Sequence, residues 1–233
     1  MQATDLVAQS DVTKVLGELE VTFHGFAYVG DIVSPKFKSL PFAITIGLSL
    51  STTVVDNIIA GPNQAYYDEY ISVNSKLDVI TEHLKSEIER KGYRAYAIPS
   101  SKLTDFVNIK GEFPHKVAAV RGGLGWIGKS SLLVTKKYGP RVRLATVLTD
   151  LPFQTSEFLE KNYCRKCKKC ADACPAGAIL GNLWEQGVSR EQLIDVKKCD
   201  LWITNNYSQF SGLICGICIA VCPHGSNNHI DKI

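Results

Sequence analysis

The sequence of 233 residues lacks the features of an exported or membrane-anchored chain. Its first residues, Met1 to Asp5, carry no basic region of the kind that opens an export signal. The longest weakly polar run, Leu40 to Val55, is interrupted by a proline and a glycine and is too short to span a bilayer. We therefore expect a protein of the reducing cytoplasm that makes no membrane contact.

A strong net charge is also absent, since 26 basic residues are balanced by 23 acidic ones and the formal charge is +3. This balance gives no reason to expect nucleic acid as a partner. With 45% hydrophobic and 21% charged residues, the composition is that of a globular protein. The length allows one large domain or two modest ones, with a core of ordinary size.

Cysteine is absent from the first 163 residues, and all eight cysteines fall within one stretch that ends at Pro223. The first arm has the spacing C-x2-C-x2-C-x3-C-P of bacterial ferredoxins, in which three thiolates bind one cubane and the fourth binds its neighbour. A second arm repeats the end of this run, and one cysteine upstream completes its set. We predict two [4Fe-4S] clusters with crossed ligation. Cluster one has the ligands Cys164, Cys167, Cys170 and Cys222, and cluster two has Cys174, Cys199, Cys215 and Cys218.

Zinc and disulfide bonds are the competing interpretations of these cysteines. Zinc sites use C-x2-C pairs, but they need neither a third cysteine at the same spacing nor a C-x3-C-P tail. Disulfide bonds would need an exported chain. Two oxidised cubanes would each carry about −2, which would bring the formal charge of +3 to about −1.

Basic residues crowd the first cysteine arm and the approach to Cys199. They are Lys161, Arg165, Lys166, Lys168 and Lys169, with Lys197 and Lys198. One interpretation is a docking face for an acidic electron donor or a polyanionic substrate. The other is that these residues are solvated and offset the negative charge of the clusters.

Residues 1–155 alternate helix-like and strand-like patterns, which predicts an α+β domain ahead of a compact dicluster domain at residues 156–233. Apolar residues recur at intervals of three and four from Tyr66 to Lys91, which predicts a long helix ended by Gly92. Shorter helices are predicted at residues 5–19 and 113–121, and strands at residues 23–30, 42–50 and 93–98. Residues 131–135 and 141–148 are predicted to form a hairpin-like pair of strands.

Residues 123–130 match two nucleotide-binding motifs at once. The P-loop pattern uses Gly123, Gly128 and Lys129, and the dinucleotide pattern uses Gly123, Gly125 and Gly128. Both motifs need a strand before the glycines and a helix after them, and here the order is reversed, so we expect neither ATP nor a nicotinamide cofactor. The glycines indicate either a flat ligand lying on exposed peptide groups beside Trp126, or a tight corner with Trp126 in the core.

Taken together, the motifs resemble epoxyqueuosine reductase and, more distantly, the reductive dehalogenases. The resemblance rests on the strings Arg121 to Lys129, Leu132-Leu133 and Val147 to Pro152, and on the order of the cysteines. It implies a nitroreductase-like, cobalamin-reductase-like domain that binds cobalamin without a lower axial base ligand, followed by a bacterial-type dicluster ferredoxin domain. It also implies that one cluster reduces the cobalt to Co(I), and that cobalamin contacts the loop residues Gly123, Leu124, Gly125, Trp126, Ile127, Gly128 and Lys129.

The chain departs from the epoxyqueuosine reductase pattern in two places. The Asp-containing segment that precedes the loop in those enzymes is absent from Asn108 to Lys116, and the chain ends at Ile233 without their tRNA-engaging extension. We therefore expect an external low-potential electron donor and a small-molecule or corrinoid-linked substrate rather than tRNA. His115 is the candidate proton donor, because it lies just ahead of the loop and histidine titrates near neutrality. The alternative is a histidine at a helix start that faces water.

Two other functions stay open at this point. One is an electron carrier or reductive activator of a partner corrinoid protein, with the basic residues from Lys161 to Lys169 as its docking face. The other is an iron-sulfur flavoprotein, since an α+β fold of this kind can hold FMN elsewhere.

Overall fold

The computed structural model describes residues 3–156, 161–211 and 214–225. The elements in chain order are α1 (Ala3–Glu18), β1 (Phe23–Tyr28), β2 (Phe42–Ser49), α2 (Thr52–Asp56), α3 (Gln64–Arg90), β3 (Ala95–Ile98), β4 (Leu103–Asp105), β5 (Lys110–Gly111), α4 (His115–Arg121), β6 (Trp126–Ile127), β7 (Leu133–Val134), β8 (Val142–Thr149), α5 (Lys169–Asp172), α6 (Val196–Asn206) and α7 (Ile217–Ala220). Short 3-10 turns lie at Pro35–Phe37, Arg190–Gln192 and Ser208–Phe210. The fold is α+β, as predicted.

A four-stranded antiparallel sheet in the order β1-β2-β8-β3 forms the centre of the first part. Side chains alternate between the two faces of a strand, so Ile44 and Val147 point to one face and Ala43 and Leu148 to the other. The first face packs against α1 and α3, and the second against α4. The sheet is therefore a middle layer between helices.

Helix α3 follows from the spacing of its apolar residues. The Asn63 side chain accepts a hydrogen bond from the Tyr66 backbone N–H at 2.9 Å and caps the first turn. Leu77, Leu84 and Ile88 are fully buried against the sheet, and burial of each such side chain contributes about 1.5–3 kcal/mol. The predicted long helix is confirmed to within two residues at its start.

The predicted pairing of residues 131–135 with 141–148 is wrong. β7 pairs with β6, whereas β8 lies between β2 and β3 in the main sheet. Thr135 and Gly139 exchange backbone hydrogen bonds of 2.9 and 3.0 Å, which closes a local turn and ends β7. β8 then departs to a central position, where most of its side chains are buried.

The cysteine-bearing part packs directly on the α+β part. Phe210, Ile214 and Ile219 share a core with Ile58 and with the aromatic residues at the start of α3. Arg141 is 2% exposed and joins the two parts. Its guanidinium pairs with the Asp56 carboxylate at 2.7 Å and donates to the carbonyl oxygens of Thr52 and Ala220 at 3.3 and 3.4 Å. The division into domains at residue 155 stays a prediction, and its ends at residues 1–2 and 226–233 lie outside the described residues.

Across the described ranges of the chain, no helix combines the length and the apolar character needed to cross a membrane.

Candidate iron-sulfur and cofactor site

Four cysteines from both arms line one small cavity, and we call them the first cysteine set: Cys164, Cys167, Cys170 and Cys222. Burial, together with the neighbouring cysteines of the same set, raises the pKa of the Cys222 thiol to about 12. Cys222 belongs to the second arm of the sequence. The fold nevertheless brings it beside the three cysteines of the first arm, which is the arrangement that crossed ligation requires.

The other four cysteines form the second cysteine set: Cys174, Cys199, Cys215 and Cys218. Burial, together with the nearby Cys215 and Cys174, raises the pKa of the Cys199 thiol to about 11. Burial also raises the pKa of Cys218, with contributions from its own set and from Cys170 of the first. The two sets are therefore neighbours.

The chemistry of these donors fits iron-sulfur clusters. Thiolates are the ligands of [4Fe-4S] cubanes, and a bound metal deprotonates thiols that burial would otherwise keep neutral. Sulfur atoms beside a cubane also accept N–H hydrogen bonds, and the Ala178 backbone N–H donates to Cys174 Sγ at 3.4 Å. Within the residues that the structure describes, no three His, Cys, Asp or Glu side chains are grouped as ligands of a single metal ion.

A second, larger cavity of about 810 Å³ lies between the α+β part and the second cysteine set. This volume is in the upper part of the range for ligand pockets. Its walls come from the β4–β5 hairpin, the first turn of α4, the segment before β8 and helix α6. Cys199 and the side chains of His115 and Lys116 line it. The cavity therefore joins one cluster position to titratable side chains of the α+β part.

His115 does not have the properties expected of a neutral-pH proton donor. Its Nε2–H donates to the Pro99 carbonyl oxygen at 3.2 Å, which leaves Nδ1 to accept from the Thr146 hydroxyl at 2.8 Å. Burial lowers the pKa of His115 to about 4. The ring is therefore neutral at pH 7, with both nitrogens engaged, and it lies half-buried in the wall of the cavity. Thr146 lies on the central strand, far from His115 in sequence, so the sequence held no signal of this contact.

Lys116, which sequence reasoning missed, is the titratable group better suited to hold a proton in this cavity. Its ammonium donates to the Ser131 carbonyl oxygen at 2.6 Å and to the Ser131 hydroxyl at 2.9 Å. Burial, together with the charge of Arg190, lowers the pKa of Lys116 to about 8. The sequence around Lys116, a lysine followed by apolar residues at a helix start, does not indicate that its side chain is buried.

Tyr70 adds a hydroxyl group to the same cavity. Its hydroxyl lies 2.6 Å from the Ser101 hydroxyl, and the Arg143 guanidinium lies 4.5 Å from its ring centroid. Arg143 also donates to the Asn74 side-chain oxygen at 2.9 Å. Tyr70 therefore belongs both to the apolar cluster at the start of α3 and to the wall of the cavity.

The glycine loop is divided between the two cavities. Ile127 lines the large cavity, whereas Gly128 and Lys129 line the cavity of the first cysteine set. Gly123 takes a φ of 73° at the end of α4, and Leu124 packs in an apolar cluster beside it. A Cβ at Gly125 would overlap the Val134 carbonyl oxygen. Trp126 is 2% exposed.

Trp126 packs among protein side chains rather than beside open space. Its indole N–H donates to Cys164 Sγ at 3.4 Å. Its ring centroid lies 5.0 Å from those of Tyr163 and His224. Of the two interpretations of the glycine string, the tight corner describes this half of the loop. Contact of the seven loop residues with cobalamin stays a prediction, and Ile127 is the one that lines the large cavity.

The element order around the loop is the one expected, because α4 precedes the glycines and β6 and β7 follow them.

The basic residues of the cysteine part are all exposed. They are Lys161, Arg165, Lys166, Lys168, Lys169, Lys197 and Lys198.

Known proteins that resemble this chain in sequence include reductases. Residues 163–225 match the family described as a 4Fe-4S double cluster binding domain. Epoxyqueuosine reductase of Cyclobacterium marinum is 38% identical over 171 residues, which are 68% of this chain and 49% of that protein. Tetrachloroethene reductive dehalogenase of Desulfitobacterium hafniense is 37% identical over 119 residues, which are 45% of this chain and 21% of that protein.

The chain is related to the epoxyqueuosine reductases and the reductive dehalogenases. Solved structures of both kinds share its fold. One is a reductive dehalogenase whose structure suggests a mechanism for B12-dependent dehalogenation. It has a TM-score of 0.72 at 19% identity, and the match covers 94% of this chain and 32% of that one. A selenomethionine-labelled epoxyqueuosine reductase has a TM-score of 0.63 at 18% identity, and the match covers 96% of this chain and 67% of that one.

This epoxyqueuosine reductase relative is an iron-sulfur protein with a double-cluster domain, and its homologues are oxidoreductases. It spans about half the length of the curated epoxyqueuosine reductases that it matches, with 49% for one and 43% for the protein of Aliivibrio fischeri.

Proposed function

We propose that the protein is a reductase that passes electrons through two [4Fe-4S] clusters to a cobalamin bound in the large cavity, for the reduction of a small-molecule or corrinoid-linked substrate. One observation carries this proposal. The large cavity is bordered at once by Cys199 of the second cysteine set and by the buried ammonium of Lys116. An electron source and a proton source therefore face the same space. A reducing compartment such as the cytoplasm suits eight free thiols.

The first cysteine set would hold cluster one, and the second would hold cluster two. When bound, the clusters supply one-electron transfer and cobalamin supplies a strongly reducing, nucleophilic cobalt. Helix α5, which carries Cys170 of the first set, packs against α7, which carries Cys218 of the second, so the two clusters would be neighbours. Cys199 in the cavity wall makes cluster two the one next to the cofactor.

The proton in this proposal is held at Lys116 Nζ, not at His115. Two of the three ammonium hydrogens bond to Ser131, which leaves the third for a group in the cavity. A pKa of about 8 keeps most of the lysine protonated at pH 7 and makes it a far better acid than an ordinary lysine. His115 and Thr146 instead brace the first turn of α4 against the sheet.

Electrons would enter at cluster one. Its cysteine arm carries the exposed Arg165, Lys166, Lys168 and Lys169, and a group of like charges attracts an acidic donor protein over several ångströms. The double variant Lys166→Glu/Lys168→Glu should slow reduction by an acidic ferredoxin at low salt and weaken the salt dependence of the rate. The matched control is Lys14→Glu/Lys76→Glu, which changes the net charge equally on α1 and α3. Equal slowing by both double variants would argue against a docking face.

The central test is the metal content of protein purified without oxygen and then supplied with hydroxocobalamin or with FMN in parallel. We expect about eight iron atoms per chain, four for each cluster, with one cobalt and no stoichiometric FMN. Zinc in place of iron would contradict the cluster assignment. Full iron with stoichiometric FMN would favour the flavoprotein instead.

A cavity-filling variant links the cobalt to the large cavity. Leu103 lines the cavity and is 41% exposed, so Leu103→Trp adds bulk at its mouth with little cost to the core. We expect this variant to bind less cobalamin with unchanged iron. Val79→Trp, on an α3 side chain that is 70% exposed, is the matched control. Unchanged cobalamin binding in Leu103→Trp would remove the cavity from the proposal.

The alternative function, a reductive activator of a partner corrinoid protein, is favoured by one surface feature. The tip of the β4–β5 hairpin presents Phe106 and Val107 to solvent, 78% and 74% exposed, beside residues that line the cavity. A partner that presents its corrinoid at the cavity mouth would cover these side chains. Full iron without bound cobalamin, together with loss of partner reduction in Phe106→Ser, would favour this function.

A further inference from the structure

The loop from Gly125 to Ser130 closes one side of the first cysteine cavity. Its sequence matched nucleotide-binding patterns that the fold excludes, and most of it does not reach the large cavity. Trp126 approaches the cavity through its indole N–H, which donates to Cys164 Sγ at 3.4 Å. The loop therefore provides a hydrogen-bond donor to a cluster ligand.

Lys129 brings a positive charge to the same cavity. It is 6% exposed and lines the cavity together with the first cysteine set. Among the residues that the structure describes, no carboxylate pairs with it, in contrast to the surface lysines Lys36 and Lys91. A cation in the wall of a cavity attracts a negatively charged group into it.

The loop is held at its short distance from the cysteines by two features. A Cβ at Gly128 would lie 2.7 Å from Val134 Cγ2, so glycine lets the loop pack closely on β7, and Cys164 Sγ lies beside the same position at contact distance, 3.5 Å from that Cβ. Asn162 then ties the loop to the ligand segment. Its side chain donates to the Ile127 carbonyl oxygen at 3.0 Å and accepts from the Cys164 backbone N–H at 3.1 Å.

We propose that this loop sets the reduction potential of cluster one, with Lys129 as the compensating charge and Trp126 as the hydrogen-bond donor to its ligand. The inference rests on the proposed function, since it needs a cluster at the first cysteine set. One-electron reduction by an external donor takes a cubane with four thiolates from about −2 to about −3. A fixed cation and an N–H donor stabilise the more negative state more strongly, so both raise the potential. Lys129 and Trp126 would therefore act on the reaction through the potential of the cluster, without touching the substrate.

Redox titration followed by electron paramagnetic resonance tests the role of Lys129. In Lys129→Met, we expect the ratio of reduced to oxidised cluster one at a fixed ambient potential to fall at least tenfold, which is a shift of about 59 mV for a one-electron couple. Cluster two should change by less than twofold. Cys167→Ser identifies the signal of cluster one by removing it. Lys129→Arg, which keeps the charge, should restore the ratio to within threefold.

Two further variants keep the inference open to refutation. Trp126→Phe removes the N–H donor together with part of a buried ring, so its iron content is measured first; with full iron it should lower the same ratio by a smaller factor. Lys168→Met removes an equal charge from the same cysteine arm at an exposed position, where water screens it, and should have less effect than Lys129→Met. Unshifted potentials in both Lys129→Met and Trp126→Phe, or an equal shift in Lys168→Met, would overturn the inference.

Iron content separates failure of this inference from failure of the proposed function. Wild-type protein without about eight iron atoms per chain would contradict the two-cluster assignment itself. Wild-type protein with full iron, but with variants of unchanged potential, would contradict only the role of the loop. Should Lys129→Met lose its iron, Trp126→Phe and Lys129→Arg decide the question.

Discussion

The buried ammonium of Lys116 gives a pH dependence of stability that can be worked out from the structure. Burial lowers its pKa from the ordinary 10.5 to about 8. Between these values the unfolded chain binds a proton at Lys116 that the folded chain does not. Stability contributed by this site therefore rises with pH across that window, and the full penalty of burying the charge is present below pH 8.

The expected size follows from linkage. Between pH 7 and pH 9.5 the free energy of unfolding of the wild type should gain about 2 kcal/mol from this group, and Lys116→Met should gain nothing from it. For a chain of this length, about 1 kcal/mol corresponds to roughly 2–4 °C in melting temperature. The melting temperature of the wild type minus that of Lys116→Met should therefore increase by about 4–8 °C over this pH range.

The assay is thermal unfolding of the iron-loaded protein without oxygen, at one scan rate, at both pH values. Hydrogen bonds to Ser131 that the variant loses affect both pH values and cancel in the difference. Lys102→Met, which removes an exposed ammonium from the mouth of the same cavity, is the control for loss of positive charge. A wild-type minus Lys116→Met difference that stays within 1 °C between the two pH values would refute the burial argument, with about 4 °C as the smallest shift expected.

Three other changes have definite expected outcomes. Gly125→Ala forces a Cβ against the Val134 carbonyl oxygen and should cost about 1–3 kcal/mol, whereas Gly17→Ala, on an open face of α1, should gain up to about 1 kcal/mol; melting temperatures compare the two. Leu84→Ala, at a side chain of 0% exposure, should lower the free energy of unfolding by about 2–5 kcal/mol in denaturant titration. Cys222→Ser should abolish the same resonance signal as Cys164→Ser, and loss of the other signal would refute crossed ligation.

Local sequence patterns were sufficient for the features that depend on short spacing. The apolar interval of three and four defined α3 because one face of that helix supplies Leu77, Leu84 and Ile88 to the core. The cysteine spacing indicated which thiols should meet, and the fold does bring Cys222 to the first arm. The contacts of α3 repeat along the chain at a fixed interval, whereas the approach of Cys222 to the first arm was indicated by the ferredoxin pattern of crossed ligation.

Features that depend on distant contacts were not predictable in the same way. β8 looked like the partner of the residues just before it, because an apolar strand does not reveal which neighbours cover it. His115 and Lys116 are adjacent, yet burial lowers the pKa of both through contacts with different parts of the fold. Pro99 and Thr146 surround the histidine and Ser131 holds the lysine. No local pattern distinguishes such a pair from two exposed residues.

The glycine string shows why one composition fits unrelated sites. A phosphate loop and a loop beside an iron-sulfur cluster both need a backbone that approaches an anion closely, which favours glycine. Both also need a cation that compensates the charge of the anion, so glycine followed by lysine suits either site. What differs is the source of the remaining donors. A phosphate loop takes them from the start of the following helix, whereas here a strand follows and the additional donor is the indole N–H of Trp126. The strand after the glycines therefore leaves the loop without the helix N-terminus that a phosphate needs, while its indole N–H still reaches a sulfur atom.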